Sequence, residues 1–67
     1  MRDKFEIGSL LTVNQKFTPL ISDEYIIRRY LDAGEILVLL DNRREYHRVM
    51  TRKGQVGNVL CTRLRRV

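Results

Sequence analysis

The stretch from residue 36 to residue 60, ILVLLDNRREYHRVMTRKGQVGNVL, decides the fold. The run at residues 36–40 is short, apolar and bounded by polar residues, which predicts a buried strand. Residues 41–45 form a polar connection. Residues 46–51 then alternate in character along the chain, which predicts a second strand with two different faces.

A turn at Arg52-Lys53-Gly54 and an apolar segment at residues 55–60 follow, and together they predict a hairpin with the preceding strand. Gly54 suits the positive φ that a tight hairpin turn needs. Gly57 suits a barrel corner where two backbones approach closely. Because alternate residues of a strand face the same way, one face of the 46–51 strand is predicted to carry His47, Val49 and Thr51, and the outer face to carry Tyr46, Arg48 and Met50.

Upstream of this hairpin the pattern is less regular. Residues 7–13 predict a strand in which Leu11 and Val13 face the same side. Residues 14–22 contain Pro19 and are predicted to be a loop. A turn is predicted at Asp32-Ala33-Gly34-Glu35, before the 36–40 strand.

Residues 25–31 are compatible with two structures. A helix near residues 22–33 would begin with Ser22 as its N-cap and end at Gly34. A strand would instead make use of the two isoleucines and two tyrosines of this segment, which favour extended structure. The strand is the preferred prediction, with an α+β chain as the alternative.

After the hairpin, residues 61–64 are predicted to form a brief turn or a last strand, and residues 65–67 a short basic end. About five short strands at intervals near ten residues are typical of sandwiches and small barrels. We therefore predict an all-β, five-stranded small barrel that occupies residues 1–67 as one domain.

The 67 residues (8.0 kDa) are 43% hydrophobic, which suits a globule with a small core. A second domain and most enzyme folds are excluded by this length. Residues 1–6 alternate in charge and lack the apolar run of a signal peptide, and Cys61 has no second cysteine to pair with. A cytoplasmic protein without a membrane span is expected, and a homodimer is compatible with so small a core.

Positive charge is concentrated in the C-terminal third of the chain. The sequence has 13 Lys and Arg against 8 Asp and Glu, a net charge of +5. All eight acids lie within residues 1–45, whereas residues 46–67 contain six cations and no acid. Such a distribution attracts phosphate groups or acidic surfaces, although it also serves solubility alone.

The order of the motifs resembles that of a bacterial SH3-like domain over residues 10–64. Leu11-Thr12-Val13-Asn14 is similar to the opening strand of that family, and Leu31-Asp32-Ala33-Gly34 to the turn after its long first loop. Tyr46-His47-Arg48-Val49 resembles the strand that starts with an aromatic residue, usually tryptophan. Gly54 to Val59 resembles the closing glycines and valine, and Leu64 the hydrophobic residue after a short 3₁₀ turn.

The resemblance implies a five-stranded barrel that acts as an interaction module. Leu60 and Arg63 replace the proline and tyrosine of members that bind proline-rich peptides, so another ligand is expected.

No set of residues suggests catalysis or a metal site. His47 and Cys61 are single, so a four-ligand zinc site cannot be assembled, and no cofactor is expected. We expect Cys61 to be a small core residue and His47 to be a partly buried packing residue. The acid pairs Asp23-Glu24 and Asp32 with Glu35 are interpreted as turn residues rather than as acid–base catalysts.

What remains is a binding surface. On the outer face Tyr46 would lie among cations from its own strand and the two flanking connections, and the predicted partner-binding residues are Tyr46, Arg43, Arg44, Arg48, Arg52 and Lys53. A second basic cluster is predicted at Arg63, Arg65 and Arg66. Tyrosine and arginine are favoured in protein interfaces, and the first hypothesis is an acidic protein partner bound by a regulator, inhibitor or adaptor. The alternative is a DNA- or RNA-binding barrel that uses the same face.

Overall fold

Seven β-strands joined into one antiparallel sheet make up the fold in the computed structural model, which describes residues 5–67. The sheet has the order β3-β2-β6-β5-β4-β1-β7 and is not closed, so β3 and β7 are its edges in this part of the chain. The all-β prediction is confirmed. The elements are β1 (Leu10–Val13), β2 (Thr18–Ile21), β3 (Ile27–Leu31), β4 (Ile36–Asp41), β5 (Tyr46–Thr51), β6 (Val56–Leu60), a 3₁₀ turn (Cys61–Arg63) and β7 (Leu64–Arg66).

The core lies on the inner face of this curved sheet and takes at least one residue from every strand. The core residues of the described chain are Leu11, Val13, Leu20, Leu31, Leu37, Leu39, Val49, Val59 and Leu64. Each leucine buried in this way contributes about 1.5–3 kcal/mol to folding. The two predicted faces of β5 are confirmed, because His47, Val49 and Thr51 are buried whereas Tyr46 lies on the outer face and is 39% exposed.

The apolar run at residues 36–40 lies in β4, as predicted, but only one of the two faces of this strand is fully buried. Leu37 and Leu39 are completely buried, whereas Ile36, Val38 and Leu40 are partly exposed. The reason is that β4 pairs with β1 and β5 in an antiparallel sheet whose outer face meets solvent.

The hairpin formed by β2 and β3 decides one prediction and corrects another. Residues 27–31 form β3, so the preferred strand is confirmed and the alternative helix near residues 22–33 is wrong, whereas the predicted 14–22 loop contains β2. With this hairpin the strands of the described residues number seven rather than about five. Pro19 is tolerated in β2 because the pairing of β2 with β6 is at Ile21 and Asn58, away from the proline.

Two glycines of the β5–β6 hairpin serve the two purposes predicted for them. Gly54 has a φ of +85°, and its backbone N–H donates to the Thr51 carbonyl to close the turn. Gly57 faces β2, where an added Cβ would lie 2.8 Å from the Leu20 side chain and 3.2 Å from the Ile21 carbonyl oxygen. A larger residue at position 57 would therefore push β2 away from β6.

The C-terminal segment has the predicted turn, as the 3₁₀ turn Cys61–Arg63, followed by a last strand. Residues 65–66 of the predicted basic end belong to this strand, β7, which pairs with β1. Cys61 begins the 3₁₀ turn and is partly exposed, so it is not a core residue. Across residues 5–67 we find no helix that is long and apolar enough to cross a membrane. The charge pattern predicted to exclude a signal peptide falls mostly on residues 1–4, which lie outside the described residues.

Candidate functional site

An open depression lies between the β2–β3 turn and the β4–β5 connection, with a tyrosine from each side among its lining residues. Tyr25 comes from the turn and is 89% exposed, and Tyr46 is the first residue of β5. We call this feature the tyrosine depression. Its lining residues are Ile21, Ser22, Asp23, Tyr25, Arg43, Arg44, Glu45, Tyr46 and Asn58.

The turn that carries Tyr25 is held by the hydrogen bonds of Ser22. The Ser22 hydroxyl oxygen accepts the backbone N–H groups of Glu24 and Ile26, each at 3.2 Å. The Ser22 backbone N–H donates to the Ile26 carbonyl at 2.8 Å, and the Tyr25 N–H donates to the Ser22 carbonyl at 2.9 Å. Tyr25 adopts a φ of +64° in this turn, a conformation that costs an ordinary L-residue about 1–2 kcal/mol. The turn therefore presents Tyr25 to solvent in a defined place.

Asp23 ties the same turn to β5 and β6. One carboxylate oxygen accepts from the Arg48 guanidinium at 2.7 Å, and the other accepts from the Asn58 amide at 3.0 Å. The Asn58 amide also donates to the Ile21 carbonyl at 3.0 Å. These hydrogen bonds from Asn58 and Arg48 lower the pKa of Asp23 below its ordinary value. Asp23 thus lines the depression with its charge already compensated by Arg48.

The opposite wall is the β4–β5 connection, which carries Arg43 and Arg44. Both arginines are exposed, and the Arg43 guanidinium lies 3.3 Å from the Asp41 carboxylate. The backbone carbonyl of Glu45 accepts from the Cys61 N–H at 2.7 Å, which fastens the connection to the 3₁₀ turn. This anchoring brings both arginines to the rim beside Tyr46.

The structure divides the predicted partner-binding residues between the two ends of β5. Arg43, Arg44 and Tyr46 meet at the tyrosine depression, and Arg48 lies behind them in the ion pair with Asp23. Arg52 and Lys53 lie in the β5–β6 turn at the other end of the strand. Six residues of extended chain separate Tyr46 from Arg52, or about 20 Å.

At that second end the charges are organised around Glu35. The Arg29 guanidinium makes two hydrogen bonds to the Glu35 carboxylate, at 2.7 and 3.2 Å, and a third to the Gln55 side chain at 3.0 Å. The hydrogen bond from Arg29 lowers the pKa of Glu35, and the charge of Lys53 contributes in the same direction. Lys53 therefore lies in the field of an acid and does not extend the basic rim at Tyr46.

The second predicted basic cluster is also divided. Arg65 and Arg66 lie on the edge strand β7, with the Arg66 guanidinium 5.7 Å from the centre of the Phe5 ring. Phe5 in turn packs edge-on against His47, which fits the prediction that His47 is a packing residue. Arg63 is partly buried in the 3₁₀ turn, where its carbonyl accepts the Asn14 N–H.

Six lining residues of the depression were not among the predicted binding residues, namely Ile21, Ser22, Asp23, Tyr25, Glu45 and Asn58. Asp23 was interpreted as a turn residue, and Tyr25 as part of a helix or strand. The signal in the sequence was Ser22-Asp23 after an apolar pair, since serine and aspartate favour turns through side-chain hydrogen bonds to nearby backbone. Nothing local marks Asn58, because its partners are 35 and 37 residues away.

Among the His, Cys, Asp and Glu side chains of the described residues, no group of three or more is placed to hold a metal ion. Comparison of the chain with protein-family models, with curated proteins and with solved structures finds no match.

Proposed function

We propose that the chain is a non-enzymatic SH3-like interaction module that binds an acidic surface of another protein and acts as a regulator, inhibitor or adaptor. The strand order supports the SH3-like part of this proposal. Five strands are adjacent in the order β7-β1-β4-β5-β6, and the β2–β3 hairpin stands where that family has its long first loop. The 3₁₀ turn followed by the buried Leu64 agrees with the same resemblance.

The observation that carries the binding proposal is the presence of Tyr25 and Tyr46 in one open depression with two exposed arginines at its rim. Tyrosine offers a rigid apolar ring with a polar tip, and arginine binds carboxylates through a planar fork, which makes both residues common anchors of protein interfaces. We expect an apolar or aromatic side chain of the partner to enter between the tyrosines. A neighbouring carboxylate would then bind Arg43 or Arg44.

The charges around the depression favour a protein over a nucleic acid. Glu45 lines it together with Arg43 and Arg44, so a polyanion would bring several phosphates close to this carboxylate. A protein segment with one or two acids can bind the arginines and keep its apolar groups near Glu45. The net charge of +5 would still accelerate the approach of an acidic partner.

Substitution of Tyr46 tests this proposal. The probe is a pool of fluorescein-labelled peptides, each with one Phe or Leu flanked by Glu, and binding is measured by fluorescence anisotropy. Tyr46→Ala is expected to weaken binding of the best peptide by about tenfold or more, since it removes an anchor ring. The control is Phe17→Ala, which removes an exposed ring outside the depression and is expected to leave affinity unchanged.

Two results would contradict the proposal. One is an absence of binding by the wild-type chain to any peptide of the pool. The other is equal affinity of the wild-type and Tyr46→Ala proteins, which would place the contact elsewhere on the surface.

A further inference from the structure

The segment Asp23-Glu24-Tyr25-Ile26-Ile27-Arg28-Arg29 presents an unusual run of exposed side chains. Residues 23–28 are all exposed, and the three central apolar residues Tyr25, Ile26 and Ile27 are 89%, 64% and 45% exposed. A soluble domain rarely leaves three adjacent large apolar residues uncovered, because contiguous exposed apolar groups mark interaction sites. We call residues 23–29 the turn surface.

The charges of the turn surface are self-complementary. Two acids precede the apolar centre and two arginines follow it. A twofold axis at Ile26 would place the acidic turn of one copy, with Glu24, against the first residues of β3 of the other, with Arg28. A symmetric dimer uses the same patch on both copies and repeats every contact twice, so this arrangement satisfies what a twofold interface requires.

The ion pairs and hydrogen bonds within the described chain involve the outer charges of the turn surface and not the inner pair, Glu24 and Arg28. The Asp23 carboxylate is bound by Arg48 and Asn58, and the Arg29 guanidinium by Glu35 and Gln55. Glu24 and Arg28, in contrast, form no ion pair with another residue of the described range 5–67. Among residues 5–67, the two charges nearest the proposed axis are thus the two of the turn surface that form no ion pair.

The position of the turn surface on the sheet supports the same partner. The turn surface continues into β3, an edge strand of the described sheet. This strand pairs with β2 on one side, and its other side is the edge of the sheet. A bulge at Arg28 interrupts the register with β2, and such irregular edges resist extension of a sheet by another strand. Contact through the side chains of the turn is therefore favoured over a continuous intermolecular ladder.

We propose that the turn surface binds a second copy of this chain and forms a symmetric dimer with Ile26 at its centre. Two reciprocal Glu24–Arg28 pairs flank the apolar contact and determine its register. The proposal does not depend on the function assigned to Tyr46, Arg43 and Arg44, although Tyr25 belongs to both surfaces.

Charge reversal tests the dimer by sedimentation equilibrium of the full chain, at protein concentrations from about 10 µM to about 1 mM. The wild-type chain is expected to dimerise. Glu24→Arg and Arg28→Glu are each expected to raise the dissociation constant about tenfold, because two attractive pairs become repulsive. The double variant Glu24→Arg/Arg28→Glu restores both pairs and is expected to return the constant close to the wild-type value.

Lys16→Glu changes an exposed cation outside the turn surface by the same charge and serves as the matched control. Circular dichroism of each variant checks that the fold is retained. A wild-type chain that stays monomeric throughout this range overturns the proposal. So does a dimer whose dissociation constant changes equally with Lys16→Glu and Arg28→Glu, or is not restored in the double variant.

Discussion

At the scale of single residues, Gly57 shows how closely β2 and β6 approach. An alanine Cβ at this position would lie 2.8 Å from the side chain of Leu20, which is fully buried, and 3.2 Å from the backbone carbonyl oxygen of Ile21. We expect Gly57→Ala to lower the free energy of unfolding by about 1–3 kcal/mol, the usual effect of overpacking a core. Urea denaturation measures this loss.

Gly54 provides the comparison, because glycine is needed there for its backbone conformation and not for lack of space. No atom lies within 4 Å of an added Cβ, but φ is +85°. Asparagine tolerates this backbone better than alanine does, so Gly54→Asn should be less destabilising than Gly54→Ala. At position 57 asparagine should be at least as destabilising as alanine. If asparagine were less destabilising than alanine at both positions, this result would show that close approach of the strands does not constrain Gly57.

Asp23 should make stability depend on pH in acid. Its pKa is lowered in the folded chain by hydrogen bonds from Asn58 and Arg48, so its contribution is present above the unfolded-chain pKa of about 3.9. This contribution is lost as pH falls through the lower pKa of the folded state. We expect the free energy of unfolding to fall less steeply from about pH 4 to about pH 2 in Asp23→Asn than in the wild type. Identical slopes would exclude Asp23 as a cause.

For the elements, the turn between β2 and β3 explains why the preferred strand forms after Ser22 and the alternative helix does not. Ser22 was the predicted N-cap, and its hydroxyl does accept backbone N–H groups from the residues that follow. The same hydrogen bonds can begin a helix or close a tight turn. The β-favouring residues Ile26, Ile27 and Tyr30, together with the pairing of β3 with β2, determine the second outcome.

Removal of the Ser22 hydroxyl should loosen this turn. Ser22→Ala leaves the Glu24 and Ile26 N–H groups without their acceptor, and we expect a loss of about 1–2 kcal/mol in the free energy of unfolding. Hydrogen exchange of these two amides should accelerate. Ser9→Ala, which removes an exposed hydroxyl that donates to the Glu6 carbonyl, serves as the control and should change stability by less than about 0.5 kcal/mol. Unchanged exchange at both amides would contradict the role of Ser22.

The division of the basic residues along β5 is also an effect of element geometry. Alternation correctly predicted that Tyr46, Arg48 and Met50 share the outer face. Alternation gives the face on which a residue lies, but it does not show whether Tyr46 and Arg52 are close enough along the strand to belong to one binding site. It also could not show that Arg48 and Asp23, 25 residues apart in sequence, form an ion pair.

At the scale of the whole molecule, local patterns predicted the all-β class, the β5–β6 hairpin and both of its glycines. They did not predict Tyr25 as a wall of the depression, because a positive φ at a tyrosine has no signature in sequence. They also did not predict the contribution of Asn58, which depends on the pairing of β6 with β2. The residues missed depend on an unusual local backbone conformation, as Tyr25 does, or on contacts between strands that are distant in sequence, as Asn58 does.

Binding of an acidic protein segment at the tyrosine depression can be followed through the amide chemical shifts of the ¹⁵N-labelled chain. The probes are the peptide pool used for Tyr46→Ala and, separately, single- and double-stranded DNA and RNA. Each titration is made at low salt and at about 0.15 M salt, where binding through counterion release is much weaker.

We predict that the peptides shift the amides of Tyr25, Tyr46 and residues 43–45 at both salt concentrations. DNA and RNA should cause shifts that largely disappear at the higher salt. Shifts at Tyr46 and Arg48 that persist with DNA or RNA at about 0.15 M salt, together with none from the peptides, would contradict the account and favour a nucleic-acid-binding protein.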